Sequence, residues 1–454
     1  MRSLLFAGLG LAAAASGTLS SHETNVAPLD ILSDLSSFME SFPQNSTGTD
    51  PLIEFLSKLK EKAPSDGGAF DSFEKVFEFL EGKEGFGKNM FSMTSDMTGG
   101  GLISTRTLDS LIESLSSDIY SATKQNGRAP EGSIYPSKSA EDAPYSLNET
   151  TLREAIVIPD EFEYCQGEKK PIILVPGTSV PVNLVYKYNL EKLFANTSYA
   201  DPIRVNIPHA SHDDIQVNSE YVAYAINYVS GICQNRNVSV ISWSQGGINT
   251  QWSLKYWPST REVVEDFIAI SPDFRGTILA DLICPDLPFA LICTPAFAQQ
   301  ASASTFLDVF RANGGDSAYV PTTTIYSATD DIVQPMAGPL ASALMSDERN
   351  VGVTNNLVQG LCPFQPAGGI YTHGTTLLNP VTWALIQDAL LNPGPGNPDN
   401  IPNFKEDVCS KFVPDGVGLE ELSDTLGLIS VFFGEAFKYK DKTNIEPGIK
   451  QYAA

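Results

Sequence analysis

The chain has 454 residues, 42% of them hydrophobic and 18% charged, which suits a globular protein with a sizeable core. Its formal net charge at pH 7 is −25. That balance argues against nucleic acid or an anionic membrane surface as the main partner, because both attract basic patches.

The first residues carry Arg2, an apolar run from Leu4 to Ala15, and then small residues. This is the layout of a secretory signal peptide over residues 1–18, with cleavage between Ala15 and Ser20. The expected location is therefore outside the cell. No other apolar run reaches the ~18 residues that a membrane span needs, so no transmembrane segment is expected. Six cysteines in an exported chain imply up to three disulfides, and their pairing stays open. Cys284 and Cys293 are near enough in sequence to close a small loop. No cysteine pair has the spacing of metal ligands, and no metal is expected. Asn-x-Ser/Thr sequons occur at Asn45, Asn148, Asn196 and Asn237, the last against an expected core strand.

Residues 19–148 are rich in serine, glycine and acidic residues. Short amphipathic stripes recur: Leu32, Leu35 and Met39; Leu52, Phe55, Leu56 and Leu59; Phe73, Val76, Phe77 and Leu80; Leu108, Leu111, Ile112, Leu115 and Ile119. Apolar residues three and four apart predict helices. Residues 121–148 are polar, contain prolines and read as a linker. This extension carries no recognisable chemistry. Its simplest reading is a loosely packed helical extension; a pro-segment, a cover over the rest, or a small binding module are the other readings.

From residue 149 to 454 the texture changes. "PIILVPG" (171–177) predicts a buried strand ending in a turn, and "IRVNIP" (203–208) a second. A helix is expected over 219–232. The strand "VSVIS" (238–242) follows, then a helix over 245–257, then the strands "FIAIS" (267–271) and "TTTIYSA" (322–328). A helix near 422–437 carries Phe432, Phe433 and Phe437. Alternating strands and helices predict an α/β fold, a mainly parallel sheet with helices on both faces. Sites in such sheets lie at the carboxyl ends of the strands.

Ser244 lies just past "VSVIS" and before a helix, in Ser-x-Ser-x-Gly rather than Gly-x-Ser-x-Gly. Residues beside a nucleophile at such a turn must be small, and Ser242, Gly246 and Gly247 are. A serine hydroxyl needs a base, normally histidine. The chain has four: His22, His209, His212 and His373. In this architecture the order is serine, acid, histidine, so only His373 can serve. His209 and His212 read as structural or pocket residues. The acid belongs between the two, just past a strand. Asp330 fits best; Asp331 is one residue further on, and Asp273 reads as a structural or pocket carboxylate. Backbone N–H donors for a developing oxyanion fall at Gln245, after the nucleophile, and at Thr178, after the first strand.

The segments "LVPGT", "QVNSEYVAYAI", "SWSQGGINTQW", "SPDFRGTILA", "VPTTTIYSATDDIVQP" and "NIEPGIKQYA" resemble those of the Candida antarctica lipase B-like fungal lipases. The resemblance runs in order from Cys165 to the C-terminus and does not cover the extension. It implies an α/β-hydrolase fold and hydrolysis of carboxylic esters, triacylglycerols included. It implies that Ser244 is the nucleophile, Asp330 the acid and His373 the base, with Thr178 and Gln245 in the oxyanion hole. Trp243 matches the tryptophan beside the nucleophile on the alcohol side; Asp273 and Gln300 match polar residues on the acyl side. Those lipases also lack the first glycine, with threonine at the position of Ser242. The resemblance implies a Cys362–Cys409 disulfide, while Cys165 lacks its family partner; a bridge to Cys233 is one alternative, and the pairing of Cys165, Cys233, Cys284 and Cys293 stays open. Ser179 replaces a glycine, which is expected to narrow the pocket. The insert "ICPDLPFALIC" (283–293) falls at the family's small lid, and the phenylalanine helix is expected to form another apolar wall.

The reading is a secreted, monomeric serine ester hydrolase of lipase type that needs no cofactor. Its substrate is a lipid or small ester, met at a lipid–water interface where the ester is insoluble. Rivals are a small-ester esterase or acyltransferase with the same triad, separated by acyl-length and acceptor preference, and a non-catalytic binding protein on the same fold, separated by reaction with a fluorophosphonate.

Overall fold

The structure is a computed structural model that describes residues 51–64, 70–82, 97–116, 127–284 and 292–454. The signal-peptide segment, the stripe at 32–39, the Asn45 sequon and residues 285–291 of the insert lie outside the described residues. We number the strands β1 (Ile156–Val157), β2 (Lys170–Val175), β3 (Ala200–Val205), β4 (Val238–Trp243), β5 (Val264–Ile270), β6 (Thr322–Tyr326) and β7 (Val353–Leu357). They form one sheet in the order β1-β3-β2-β4-β5-β6-β7. All pairs are parallel except β1 with β3 at one edge.

Side chains alternate across the sheet, and the two faces bury different sets. Ile172 and Leu174 of β2, Ile241 of β4 and Ile268 and Ile270 of β5 enter one core. Ile173 and Val175, Val240, and Phe267 and Ala269 enter the other. Because both faces are covered, these strands read as unbroken apolar runs, and β4 is buried along its whole length. The second face carries α4 (Ile215–Ile232) and α5 (Gly246–Tyr256), which pack against each other.

The first face carries the three described helices of the extension, α1 (Pro51–Lys60), α2 (Phe73–Gly82) and α3 (Thr105–Ser116), together with α9 (Leu419–Lys438). Between lie three further helices: α6 (Ile278–Ile283), α7 (Pro295–Gln300) and α8 (Pro380–Leu391). The helices of the extension are not loosely packed. Leu52, Phe55, Leu56, Leu108 and Leu111 are buried in the same core as β2 and β4. Two glycines of α9 mark the close approach: a Cβ on Gly434 would sit 2.0 Å from Leu52 Cδ1, and one on Gly427 would sit 2.7 Å from Thr107 Cγ2. Phe77 packs on Tyr371 and Phe412, with ring centroids 5.3 and 5.0 Å apart. Arg106 adds a two-pronged contact to Asp424 at 3.0 and 3.3 Å. That pair is half exposed and contributes at most about 1 kcal/mol, whereas each fully buried leucine or phenylalanine contributes about 1.5–3 kcal/mol. Apolar burial therefore holds the extension on, because each helix has one apolar stripe and α9 offers a second apolar face to receive it.

The expected linker is likewise fastened where it is described. Ala143 N–H donates to Tyr256 O, Asp142 accepts from the Ser259 N–H and hydroxyl, and Glu220 accepts from Ser146 and Leu147. Disulfides join Cys165 to Cys233, Cys284 to Cys293 and Cys362 to Cys409. Asn148, Asn196 and Asn237 are all exposed, so the neighbouring strand does not bury Asn237.

Truncating the extension's core contacts tests this packing. Leu52→Ala and Phe55→Ala are expected to lower unfolding stability of the whole chain by about 2–5 kcal/mol each in urea titrations; unchanged midpoints would mean that the extension is loose.

Candidate active site

Ser244 sits at the carboxyl end of β4, where the chain turns at once into α5. Its φ is 57°, a left-handed backbone that a non-glycine residue adopts only when the surroundings enforce it. Its N–H donates to Ile270 O at 3.0 Å, and the Gly247 N–H donates back to its carbonyl at 2.8 Å. The turn is crowded on three sides. A Cβ on Gly177 would lie 2.6 Å from Ser244 Cβ, one on Gly246 2.6 Å from Val175 O, and one on Gly247 2.8 Å from Pro272 Cβ. Ser242 is fully buried behind the turn, with its hydroxyl unpaired among the described residues.

His373 approaches from a loop just before a short helical turn, Thr375–Leu378. Its Nδ1 lies 2.8 Å from Asp330 Oδ2, both groups buried. The other Asp330 oxygen accepts from the N–H groups of Ile332 and Val333 at 3.0 and 2.8 Å, which fixes the carboxylate against rotation. His373 Nε2 is buried and has no hydrogen-bond partner among the described residues. Trp243 donates its indole N–H to His373 O at 3.0 Å and packs its ring on the imidazole, 4.7 Å between centroids. Burial favours the neutral imidazole, but Asp330, Asp331 and Asp273 outweigh it and raise the His373 pKa above the ordinary value.

Ser244 and His373 line adjoining cavities that share Ile332 and Phe432. No hydrogen bond joins Ser244 Oγ to His373 Nε2; such contacts often tighten only when substrate is bound. On the serine side the wall is apolar, with Leu279, Ala280 and Ile283 of α6, Phe297 of α7, Val333, and Phe432 of α9. Of the three phenylalanines expected there, Phe432 lines the cavity, while Phe433 and Phe437 are core residues. Besides Ser244, the polar residues are Thr178, Thr277 and Gln300. Gln300 Nε2 donates to Thr178 Oγ1 at 3.1 Å, and Thr178 Oγ1 donates to Gln245 Oε1. The backbone N–H groups of Thr178 and Gln245 bond to no other described residue.

Two residues depart from the expected arrangement. Ser179 does not narrow the cavity at Ser244. Its φ is 67°, its side chain is buried, and its hydroxyl lies 3.0 Å from His212 Nε2. That pair is not a second triad. The other His212 nitrogen meets Thr294 Oγ1 at 3.2 Å rather than a carboxylate, and burial, with His209 and Lys442, holds the His212 pKa down to about 3. Asp201 lies near the start of β3, at the opposite end of the sheet, where it accepts the Glu163 N–H at 2.7 Å. Asp273 is the second departure. It is fully buried, neither oxygen has a hydrogen-bond partner among the described residues, and it is not among the residues lining the serine's cavity. Burial pushes its pKa up to about 7, with His373 opposing and Asp330 adding to the rise.

No family model matches the chain. Lipase B of Pseudozyma antarctica is 37% identical over 194 residues, which cover 41% of this chain and 55% of that protein. The matched region thus spans about half the length of that curated relative. The solved structure of Aspergillus fumigatus lipase B is 46% identical, covers 93% of this chain and is itself covered completely, with a TM-score of 0.82. The chain belongs to the lipase B family. Its sheet and helices are those of an α/β-hydrolase, and the family is one of carboxylic ester hydrolases. Within this lipase B family member, Asp331, weighed from sequence only as the alternative acid, accepts the His373 N–H, and the wall residues Ile332, Val333 and Phe297 were missed. The doubled aspartate was the available signal for the first; the walls carry none beyond being apolar.

The isolation of Asp273 predicts a pH effect. A carboxyl with a folded pKa near 7 and an unfolded value of about 3.9 favours the folded state at low pH, and that contribution is lost as pH rises through about 7. Asp273→Asn is expected to be more stable than the parent at pH 8 by a few kcal/mol, a margin that shrinks toward pH 4. Urea unfolding at both pH values checks it; parallel pH profiles would refute it.

Proposed function

We propose that this lipase B family member hydrolyses carboxylic esters, triacylglycerols among them, through a Ser244–Asp330–His373 triad and an acyl-enzyme. The observation that carries the reading is the buried His373, with Nδ1 held 2.8 Å from Asp330 and Nε2 left free, beside a serine on a strained strand-to-helix turn. In the first step Ser244 Oγ attacks the ester carbonyl carbon while His373 Nε2 takes the hydroxyl proton. Asp330 stabilises the imidazolium at Nδ1. The carbonyl oxygen becomes an oxyanion, met by the backbone N–H groups of Thr178 and Gln245 and, once it turns from Gln245 Oε1, by the Thr178 hydroxyl. Each such donor is worth about 3 kcal/mol in the transition state. Collapse breaks the bond to the alcohol oxygen, which leaves with the proton from His373. Water then attacks the acyl-enzyme, again with His373 as base, and releases the carboxylic acid and free Ser244.

The apolar wall of Leu279, Ile283, Phe297, Val333 and Phe432 supports an aliphatic acyl chain on the Ser244 side. Ile278 and Leu282 of α6, the helix whose other residues line the serine's cavity, are among the exposed large hydrophobics, which favours contact with a lipid surface there. Secretion, with residues 1–18 removed, and a catalytic unit over 149–454 covered by the extension complete the proposal. Among the described residues no helix is long and apolar enough to cross a membrane.

A fluorophosphonate probe and a panel of esters of rising acyl length test it. The parent chain is expected to label at Ser244 and to favour longer chains. Ser244→Ala and His373→Ala are expected to lose about 10³-fold or more in kcat/KM. Equal labelling of Ser244→Ala would refute the assignment.

A further inference from the structure

Asp330 and Asp331 put two carboxyls on one loop, and the mechanism above uses only the first. The second is not a surface group. Asp331 is buried, and its Oδ1 accepts the main-chain N–H of His373 at 2.8 Å. Its neighbour Asp330 accepts the ring Nδ1 of the same histidine at 2.8 Å. Two adjacent residues thus grip His373 at two points, one on the ring and one on the backbone.

His373 needs that second grip because secondary structure does not hold it. Its N–H goes to Asp331 and its carbonyl to the Trp243 indole, so both main-chain groups depend on side chains. A slide of the backbone would carry Nε2 with it, whatever Asp330 does to the ring. Misplacement by about 1 Å can cost as much as a hundredfold in rate.

We propose that Asp331 is a positioning residue for the base: it fixes the main chain at His373 so that Nε2 stays within reach of Ser244 Oγ. This rests on the Ser244–Asp330–His373 reading. The same contact sets a charge beside the imidazole. The titratable groups facing Asp331 are Asp330 on its own loop and His373 across from it, and Asp273 faces His373 from beyond β5. The sides formed by α9 and the extension contribute Met97, Thr425, Leu426 and Ile429, none of which titrates. Burial, then Asp330, push Asp331 up to about 6, so it is ionised in the range where an esterase base works.

The test uses the full chain with Asp331→Ala, which removes both acceptor and charge, and Asp331→Asn, which keeps the Oδ1 acceptor and removes the charge. Asp331→Ala is expected to lose about ten- to a hundredfold in kcat with little change in KM. Asp331→Asn is expected to recover most of that loss. Both are expected to move the acid limb of the kcat/KM profile to lower pH, because a charge that raises the His373 pKa is gone. A wild-type kcat and acid limb in Asp331→Ala would overturn the inference. So would an Asp331→Asn variant as slow as Asp331→Ala, since the retained acceptor would then do nothing. Fluorophosphonate labelling separates this from the triad itself: a parent chain that does not label at Ser244 sinks the triad reading, whereas labelling at Ser244 with unaltered Asp331 variants sinks only the positioning role.

Discussion

At the end of β4 three stretches of backbone converge on one side chain. The chain reverses at Ser244 with φ at 57°, while the loop after β2 and the first turn of α5 press against it. Glycine at 177, 246 and 247 is what lets the three approach, because a Cβ at any of them would lie under 3 Å from another atom. The turn lifts the serine out of the sheet, and the same closeness brings the N–H groups of Thr178 and Gln245 beside it. Ser242 belongs to this constraint as well. It is fully buried directly before the nucleophile's turn, and its hydroxyl has no hydrogen-bond partner among the described residues.

Around His373 the problem is one of charge rather than space. Asp330, Asp331 and Asp273 all bear on one buried imidazole. Were all three ionised, the pocket would hold more negative charge than one imidazolium can balance. The three carboxyls are not equivalent. Asp330 accepts three hydrogen bonds, Asp331 has one backbone donor, and Asp273 has none among the described residues. Burial raises the two with fewer donors, Asp273 up to about 7 and Asp331 up to about 6.

Much of this was legible in the sequence. Strands β2, β4, β5 and β6 are apolar runs ended by turn residues, and each stands within a few residues of its expected position. The edge strands were not legible. β7 reads "VTNNL", with no apolar period, because its side chains are mostly only half covered; β1 has two residues. The stripes of α1, α2 and α3 said that each helix buries one face, but a stripe does not say against what, and the partner lies some 300 residues away in α9. The pairing of His373 with Asp330 followed from chain order and from the scarcity of histidines. The grip of Asp331 could not follow, because it is made to a backbone N–H, which every residue but proline has. The lack of a hydrogen-bond partner for the Asp273 carboxyl among the described residues is equally invisible in a linear string, where an aspartate after a strand looks like any other turn residue.

The way the extension is attached has a consequence for the protein as a covalent object. All six cysteines lie at residue 165 or later, and the disulfides join them only to one another. Between α3 and the fastened strap that starts at residue 127, the peptide chain is the sole covalent link between the two parts. A protease that cuts there would leave a nicked, two-chain molecule held together by the apolar seam with α9. Gel electrophoresis under denaturing conditions would report two fragments, while size exclusion would report one particle of unchanged mass. Departure of the smaller piece would strip a long apolar helix bare, so the likes of detergent or a lipid surface would be its natural replacement.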